Sequence, residues 1–95
     1  MARKAIRIFE RMKQSQSGWH PHDFHTLYLG FGFKMNHGRN HDIFIHPEFP
    51  QLRDTIPRHG ELSKAYARDA VKNIETLLRL KPEVDQTSEM DETDE

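Results

Sequence analysis

The chain contains no cysteine among its 95 residues. Disulfide bonds and zinc sites built from thiolates are therefore excluded, and nothing in the sequence indicates an oxidising compartment. No apolar run approaches the roughly 20 residues that a membrane-spanning helix needs. The basic N-terminal segment, MARKAIRIFERMK, lacks the apolar block of a signal peptide. We therefore expect a cytoplasmic protein with no membrane partner.

Apolar residues are also scarce, at 35% of the chain, and part of this deficit is local. Residues 82–95, PEVDQTSEMDETDE, contain seven acidic residues but no basic and no aromatic residue. Such a segment cannot bury enough apolar surface to offset the entropy that it would lose on ordering. The sequence therefore predicts a single domain over residues 1–81 and a disordered acidic tail over residues 82–95.

The acidic tail conceals a charge asymmetry. The whole chain has 14 Lys and Arg against 15 Asp and Glu, a formal net charge of −1. All 14 basic residues precede residue 82, together with 8 of the acidic residues, so residues 1–81 carry a net charge of +6. A basic domain of this size indicates a polyanionic partner, most commonly a nucleic acid. A well-solvated surface explains the charge equally well.

Hydrophobic periodicity predicts three helices. In RKAIRIFERMK the apolar residues recur at steps of three and four, which indicates an amphipathic helix at about residues 3–14. A second helix begins at Pro21 and ends near Gly30. The third helix, SKAYARDAVKNIETLLRLK, follows Ser63 as a candidate cap and precedes Pro82.

Between the second and third helices the period changes to two. The segments FGFKM and HDIFIH are predicted strands, joined by the turn NHGRN. A third strand, LRDTIP, ends at Pro57, which cannot continue a central strand. The sequence therefore predicts an α+β domain with helices on one face of a three-stranded antiparallel sheet.

Three histidines fall within the stretch HGRNHDIFIHPEF, and the strand period separates two of them. Alternation places His41 on one face of its strand and both Asp42 and His46 on the other. His41 and His46 therefore cannot share a metal ion in a regular strand.

A second histidine cluster lies in HPHDFH. His22 and His25 share a helix face, and His20 lies just before them. Zinc sites need three or four ligands, and the remaining ligands are not evident in the sequence. We expect no metal site here, and a metal-dependent phosphoesterase that uses these three histidines stays an alternative.

The run GFGFKMNHGRNHDIFIHP, followed by DTIPRHGELSKAYARDAVKNI, resembles the HicA toxins of bacterial toxin–antitoxin pairs. The family pattern is Gly-Phe, a strand, a Gly-Ser-His turn, an aromatic-bearing strand that ends in His-Pro, and Val-Pro-x-His before the last helix. The resemblance covers about residues 19–80, so the first helix and the tail lie outside it. It implies the fold of a double-stranded-RNA-binding domain, here with an extra N-terminal helix.

The resemblance also implies a function. HicA-like proteins are endoribonucleases that cut mRNA without a metal or other cofactor, and a HicB-like antitoxin protein neutralises them. The histidine of Gly-Ser-His corresponds to His41, which is therefore the predicted catalytic residue. RNA supplies its own nucleophile, the 2′-hydroxyl, so cleavage mainly requires proton transfer, and an imidazole that titrates near pH 6.5 suits this task.

Several basic residues accompany His41 as candidates for RNA binding. The cations would hold phosphates and offset the charge that develops on the scissile group. His37 and His59 are secondary candidates for the general acid. The predicted RNA-binding residues are Lys34, Arg39, Asn40, Arg58 and His59.

One departure from the family pattern supports a hypothesis of a different class. Gly-Ser-His appears here as Gly38-Arg39-Asn40-His41. The alternative is therefore a non-catalytic RNA-binding or partner-binding module of the same fold, in which His41 is a solvated turn residue. The acidic tail either competes weakly with RNA for the basic residues or is only a solvated end.

Overall fold

The computed structural model describes residues 3–81, so the predicted acidic tail lies outside the described residues. The predicted α+β class is confirmed, as is the antiparallel sheet, in which the strands lie in the order β1-β2-β3. No helix within residues 3–81 is long and apolar enough to cross a membrane. The elements are α1 (Arg3–Gln14), α2 (Pro21–Gly30), β1 (Lys34–His37), β2 (His41–Ile45), β3 (Arg53–Pro57) and α3 (Lys64–Leu80).

The sheet has one buried face and one open face. Phe44 on the central strand β2 is fully buried, as is Ile56 on β3. Both α2 and α3 contact the sheet. On the other face Asn36, His41 and Thr55 are exposed. Strand alternation therefore directs every second residue of β2 towards the helices, as the sequence predicts.

The first strand is shorter than its period-two pattern indicates. FGFKM predicts a strand from Phe31, but β1 begins only at Lys34. Phe31 and Phe33 instead lie in the turn that follows α2, where the N–H of Phe33 donates to the carbonyl of Tyr28 at 3.0 Å. Gly32 has φ +91°, a left-handed conformation that favours glycine. Both phenylalanines still reach the core, because this glycine turns the chain back onto the helix.

Helix α1 adds a further helix to the core. It contacts α2 and α3 and buries Ala5, Phe9 and Met12. The ring of Phe9 meets Phe31 edge-on, with 5.8 Å between the centroids. The three buried residues recur at steps of four and three, so the amphipathic pattern of the sequence fixes which side of α1 faces solvent.

His46 is part of the core. It is 4% exposed and packs between Phe33 and Phe49, with ring centroids 5.1 and 5.3 Å away. Its Nδ1 accepts the backbone N–H of Glu48 at 3.1 Å, so this nitrogen is unprotonated. Burial lowers the pKa of His46, and the side chain therefore packs as a neutral imidazole.

A buried polar network joins the helices to the sheet. The hydroxyl of Tyr28 on α2 donates to Oδ2 of Asp54 on β3 at 2.7 Å, and it accepts from Nδ2 of Asn73 on α3 at 3.1 Å. Burial raises the pKa of Tyr28, so the phenol stays protonated and keeps donating. Burial also raises the pKa of Asp54, and the hydrogen bonds from Tyr28 and the Thr55 N–H only partly offset this effect.

Loss of this donor should destabilise the fold. We expect Tyr28→Phe to lower the free energy of unfolding by about 1–3 kcal/mol, because the carboxylate of Asp54 would lose its shortest hydrogen bond inside the protein. Chemical denaturation followed by circular dichroism measures the change. Tyr66→Phe is the matched control, since Tyr66 is only half-buried and its hydroxyl has no hydrogen bond within residues 3–81. Equal effects of the two substitutions would contradict the role given to the network.

Candidate functional site

Asp42 is the centre of the candidate site. It lies on β2 and is 1% exposed, although aspartate is rarely buried unless it is paired. Its Oδ1 lies 2.7 Å from Nδ1 of His37 and accepts from Nε of Arg58 at 3.1 Å. Nε2 of His25 lies 2.8 Å from Oδ2. One carboxylate thus gathers basic groups from α2, β1 and the residue after β3, and we call these four residues the Asp42 cluster.

The Asp42 carboxyl is ionised at neutral pH. Burial alone would raise its pKa, but the hydrogen bonds from His37 and Arg58, together with the positive charge of Arg58, outweigh burial. The pKa of Asp42 therefore lies below its ordinary value. An ionised carboxylate can only accept hydrogen bonds, so each neighbouring nitrogen that pairs with it must donate.

This requirement fixes the tautomer of His37. In the neutral imidazole, Nδ1 carries the hydrogen that it donates to Asp42, and Nε2 keeps its lone pair. Nη2 of Arg58 also lies 3.3 Å from Nδ1, but the shorter contact with the carboxylate decides the assignment. The His37 side chain is 65% exposed, and its Nε2 has no hydrogen bond within residues 3–81. His37 therefore presents a basic nitrogen to solvent.

His25 sits differently beside the same carboxylate. Its Nε2 is buried and, in the part of the chain that the structure describes, makes no hydrogen bond despite the 2.8 Å separation from Asp42. The ring therefore lies against the carboxylate without a well-aligned hydrogen bond. The ring meets Phe44 edge-on at 5.3 Å, which fixes its plane.

Arg58 connects the Asp42 cluster to the turn between β1 and β2. Its guanidinium donates to the carbonyl oxygens of Gly38 and Arg39, and its backbone N–H donates to the carbonyl of Asn40 at 3.3 Å. The turn is closed by the N–H of Gly38, which donates to the carbonyl of His41 at 2.8 Å. A Cβ at Gly38 would lie 2.9 Å from that oxygen, so a larger residue would disrupt the turn.

A cavity of about 540 Å³ opens over the Asp42 cluster. This volume lies within the roughly 300–1,000 Å³ that is usual for ligand sites. Four of the seven histidines of the chain meet there. We call it the Asp42 cavity, and its lining residues are Pro21, His22, His25, His37, Asp42, Arg58 and His59.

The residues predicted from the sequence are divided by the structure. Arg58 and His59 line the Asp42 cavity, and Arg39 and Asn40 are exposed in the adjoining turn. His41 is exposed on the open face of the sheet, because it precedes the inward-facing Asp42 by one residue.

Lys34 is the predicted residue that lies farthest along the sheet from the turn. It pairs with Ile45 at the other end of β2, whereas His37 pairs with Asp42 beside the turn. The structure therefore brings Arg58 and His59 together with His37, and it does not bring Lys34 or His41 into the cavity.

Sequence reasoning missed two functional residues: Asp42, as the buried carboxylate that pairs with the basic groups, and His25, as one of its neighbours. Asp42 occupies an inward-facing position of its strand. A charged residue at a position that strand alternation buries indicates a buried polar site. His22 and His25 were expected to share a helix face. The contact of His25 with Asp42 on β2, however, depends on how α2 packs on the sheet. Within residues 3–81, no group of three or more His, Asp or Glu residues is arranged to hold a metal ion.

No family model, curated protein or solved structure matches this chain. The function of the chain must therefore be inferred from the geometry of the Asp42 cluster and from the amino-acid sequence itself.

The depressed pKa of Asp42 predicts a pH-dependent contribution to stability. Because the folded pKa lies below the unfolded value of about 3.9, this contribution is present above that value and is lost as the pH falls through the folded pKa. We expect Asp42→Asn to lower the free energy of unfolding by about 1–3 kcal/mol at neutral pH. The difference from the unsubstituted protein should narrow below about pH 4. Denaturation curves across this range measure it, and a difference that stays constant would contradict the assignment.

Proposed function

We propose that the protein is a metal-independent endoribonuclease whose chemistry takes place in the Asp42 cavity. The observation that carries this proposal is the 2.7 Å contact between His37 Nδ1 and Asp42, which leaves Nε2 of His37 free to act as a base in a cavity that Arg58 also lines. A carboxylate that orients an imidazole in this way produces the tautomer needed for general base catalysis.

The reaction uses a nucleophile within the RNA itself. Nε2 of His37 takes the proton of the 2′-hydroxyl, and the 2′-oxygen attacks the adjacent phosphorus. The bond from phosphorus to the 5′-oxygen of the next nucleotide then breaks. The products are a 2′,3′-cyclic phosphate and a 5′-hydroxyl. Asp42 stabilises the imidazolium that forms on His37, as a carboxylate does in other histidine-dependent sites.

The leaving 5′-oxygen needs a proton, and the Asp42 cavity offers a second imidazole for this step. His59 follows Arg58 directly, is exposed and lines the cavity. We assign it as the general acid. Arg58 makes one contact with Asp42 and two with turn carbonyls, so some of its five N–H donors stay available for the phosphate oxygens.

The resemblance to HicA toxins supports the same reaction class by a separate route. It adds mRNA as the substrate, a HicB-like antitoxin as a protein partner and the double-stranded-RNA-binding fold to this proposal. It assigns the catalytic role to His41, whereas the contacts of Asp42 favour His37. The two assignments place the chemistry on opposite faces of the sheet, so substitution separates them.

Cleavage assays with the full chain test the proposal. Single-stranded RNA should be cut in excess EDTA to products with 2′,3′-cyclic phosphate ends. His37→Asn should reduce the cleavage rate by about 10²–10⁴-fold, the usual contribution of a general base. Asn36→Ala is the matched control, because Asn36 precedes His37 but is exposed on the open face. It should leave the rate unchanged.

The other outcomes have distinct meanings. Loss of cleavage in His41→Asn, with full activity in His37→Asn, would move the chemistry to the open face and overturn the assignment. Salt-dependent RNA binding without cleavage by the unsubstituted chain would identify the non-catalytic module that the altered Gly-Ser-His motif suggests.

A further inference from the structure

Helix α1 carries much more positive charge than its packing requires. Its 12 residues include five basic residues and a single acid, Glu10. Glu10 pairs with Lys13 at 3.2 Å, and the same ammonium lies over the ring of Phe9 at 4.7 Å from its centroid. The one acid of the helix is therefore paired with the cation nearest its C-terminal end.

Three of the remaining cations form a line along the exposed side of α1. Lys4, Arg7 and Arg11 are spaced by three and four residues, so they are neighbours on one helical face. All three are exposed, and none forms an ion pair within residues 3–81. We call them the basic ridge. The burial of the opposite side of α1 holds the ridge towards solvent.

A second cavity, of about 360 Å³, lies at the end of the basic ridge. Arg11 lines it, as does the partly exposed Trp19. The indole Nε1 of Trp19 donates to the carbonyl of Ser15 at 2.8 Å, which holds the ring in a fixed orientation. An oriented aromatic ring beside a cation is the combination that proteins use to bind single-stranded nucleic acid.

This second cavity and the Asp42 cavity both border the first turn of α2. Pro21 and His22 line the Asp42 cavity, and Asp23 lines the second cavity. At the start of this turn the N–H of His20 donates to Oδ2 of Asp23 at 2.9 Å, which fixes the side chain of Asp23. The basic ridge, Trp19 and the Asp42 cavity are therefore arranged in succession around one end of α2.

We propose that the basic ridge and Trp19 bind single-stranded RNA that extends beyond the Asp42 cavity. The ridge cations contact successive phosphates, and one base stacks on Trp19. This inference rests on the proposed function for the identity of the polyanion. It assigns a role to a helix that lies outside the HicA-like part of the sequence, and it implies that the enzyme prefers substrates longer than a dinucleotide.

Binding of an RNA that cannot be cut tests the inference separately from the chemistry. A single-stranded oligonucleotide of about 12 residues, 2′-O-methylated throughout, lacks the nucleophile. Trp19 is the single tryptophan of the chain, so its fluorescence should be quenched on binding. The triple variant Lys4→Gln, Arg7→Gln, Arg11→Gln should reduce the slope of log affinity against log salt by about 2, because each phosphate contact on a single strand contributes about 0.7.

The triple variant Lys64→Gln, Arg68→Gln, Lys72→Gln is the matched control. It removes three exposed charges at similar spacing from α3, and it should leave the salt slope nearly unchanged. Equal slopes for the two triple variants, or unaltered Trp19 fluorescence on binding, would overturn the inference. Binding of polyglutamate with the affinity and salt slope of the RNA would also overturn it, since the ridge would then not select nucleic acid.

Cleavage assays separate this inference from the proposed function. The ridge variant should cut a dinucleotide at the unsubstituted rate and cut long RNA more slowly at limiting substrate. A different result is that the unsubstituted chain cuts no RNA and still binds it with a steeper salt dependence than the ridge variant. That result would contradict the proposed function but support the RNA-binding role of α1. A dinucleotide rate that falls as much as the rate on long RNA would contradict the placement of the ridge outside the Asp42 cavity.

Discussion

The buried charge of Asp42 is the constraint on which the rest of the site depends. An ionised carboxylate removed from water costs several kcal/mol unless nearby groups compensate for it. The fold supplies them from three directions, with His37 at 2.7 Å, Arg58 at 3.1 Å and His25 at 2.8 Å. The tautomer of His37 and the position of Arg58 against the turn both follow from this one requirement.

The molecule contains two inward-facing aspartates on neighbouring strands, and their environments separate their roles. Asp54 accepts from the buried Tyr28 and has a raised pKa, so it belongs to a network that holds helices to the sheet. Asp42 has a lowered pKa and partners that line an open cavity. A carboxyl with a perturbed pKa is a candidate functional group when it also lies at a cavity. The contacts agree, because His25, His37 and Arg58 line the Asp42 cavity, whereas Tyr28 is fully buried.

The sequence predicted those features that depend on local periodicity. The bounds of α1 and α2 follow from apolar spacing and from Pro21, and the opposite placement of His41 and His46 follows from strand alternation and is confirmed by their exposure. The meeting of His25 with Asp42 was not predictable in this way, because it depends on how α2 packs across the sheet. Strand β1 began later than expected because the chain after α2 bonds back to Tyr28, a tertiary effect that overrides the pattern of alternating residues.

The tautomer of His37 is the most direct measure of whether Asp42 organises the site. ¹⁵N chemical shifts of the imidazole nitrogens distinguish the two neutral forms, and they can be recorded above about pH 8, where a typical histidine is neutral. The contacts of Asp42 predict that His37 carries its hydrogen on Nδ1, and that this preference is lost in Asp42→Asn. A His37 that carries its hydrogen on Nε2 in the unsubstituted protein would contradict the orientation of the base on which the proposed chemistry depends.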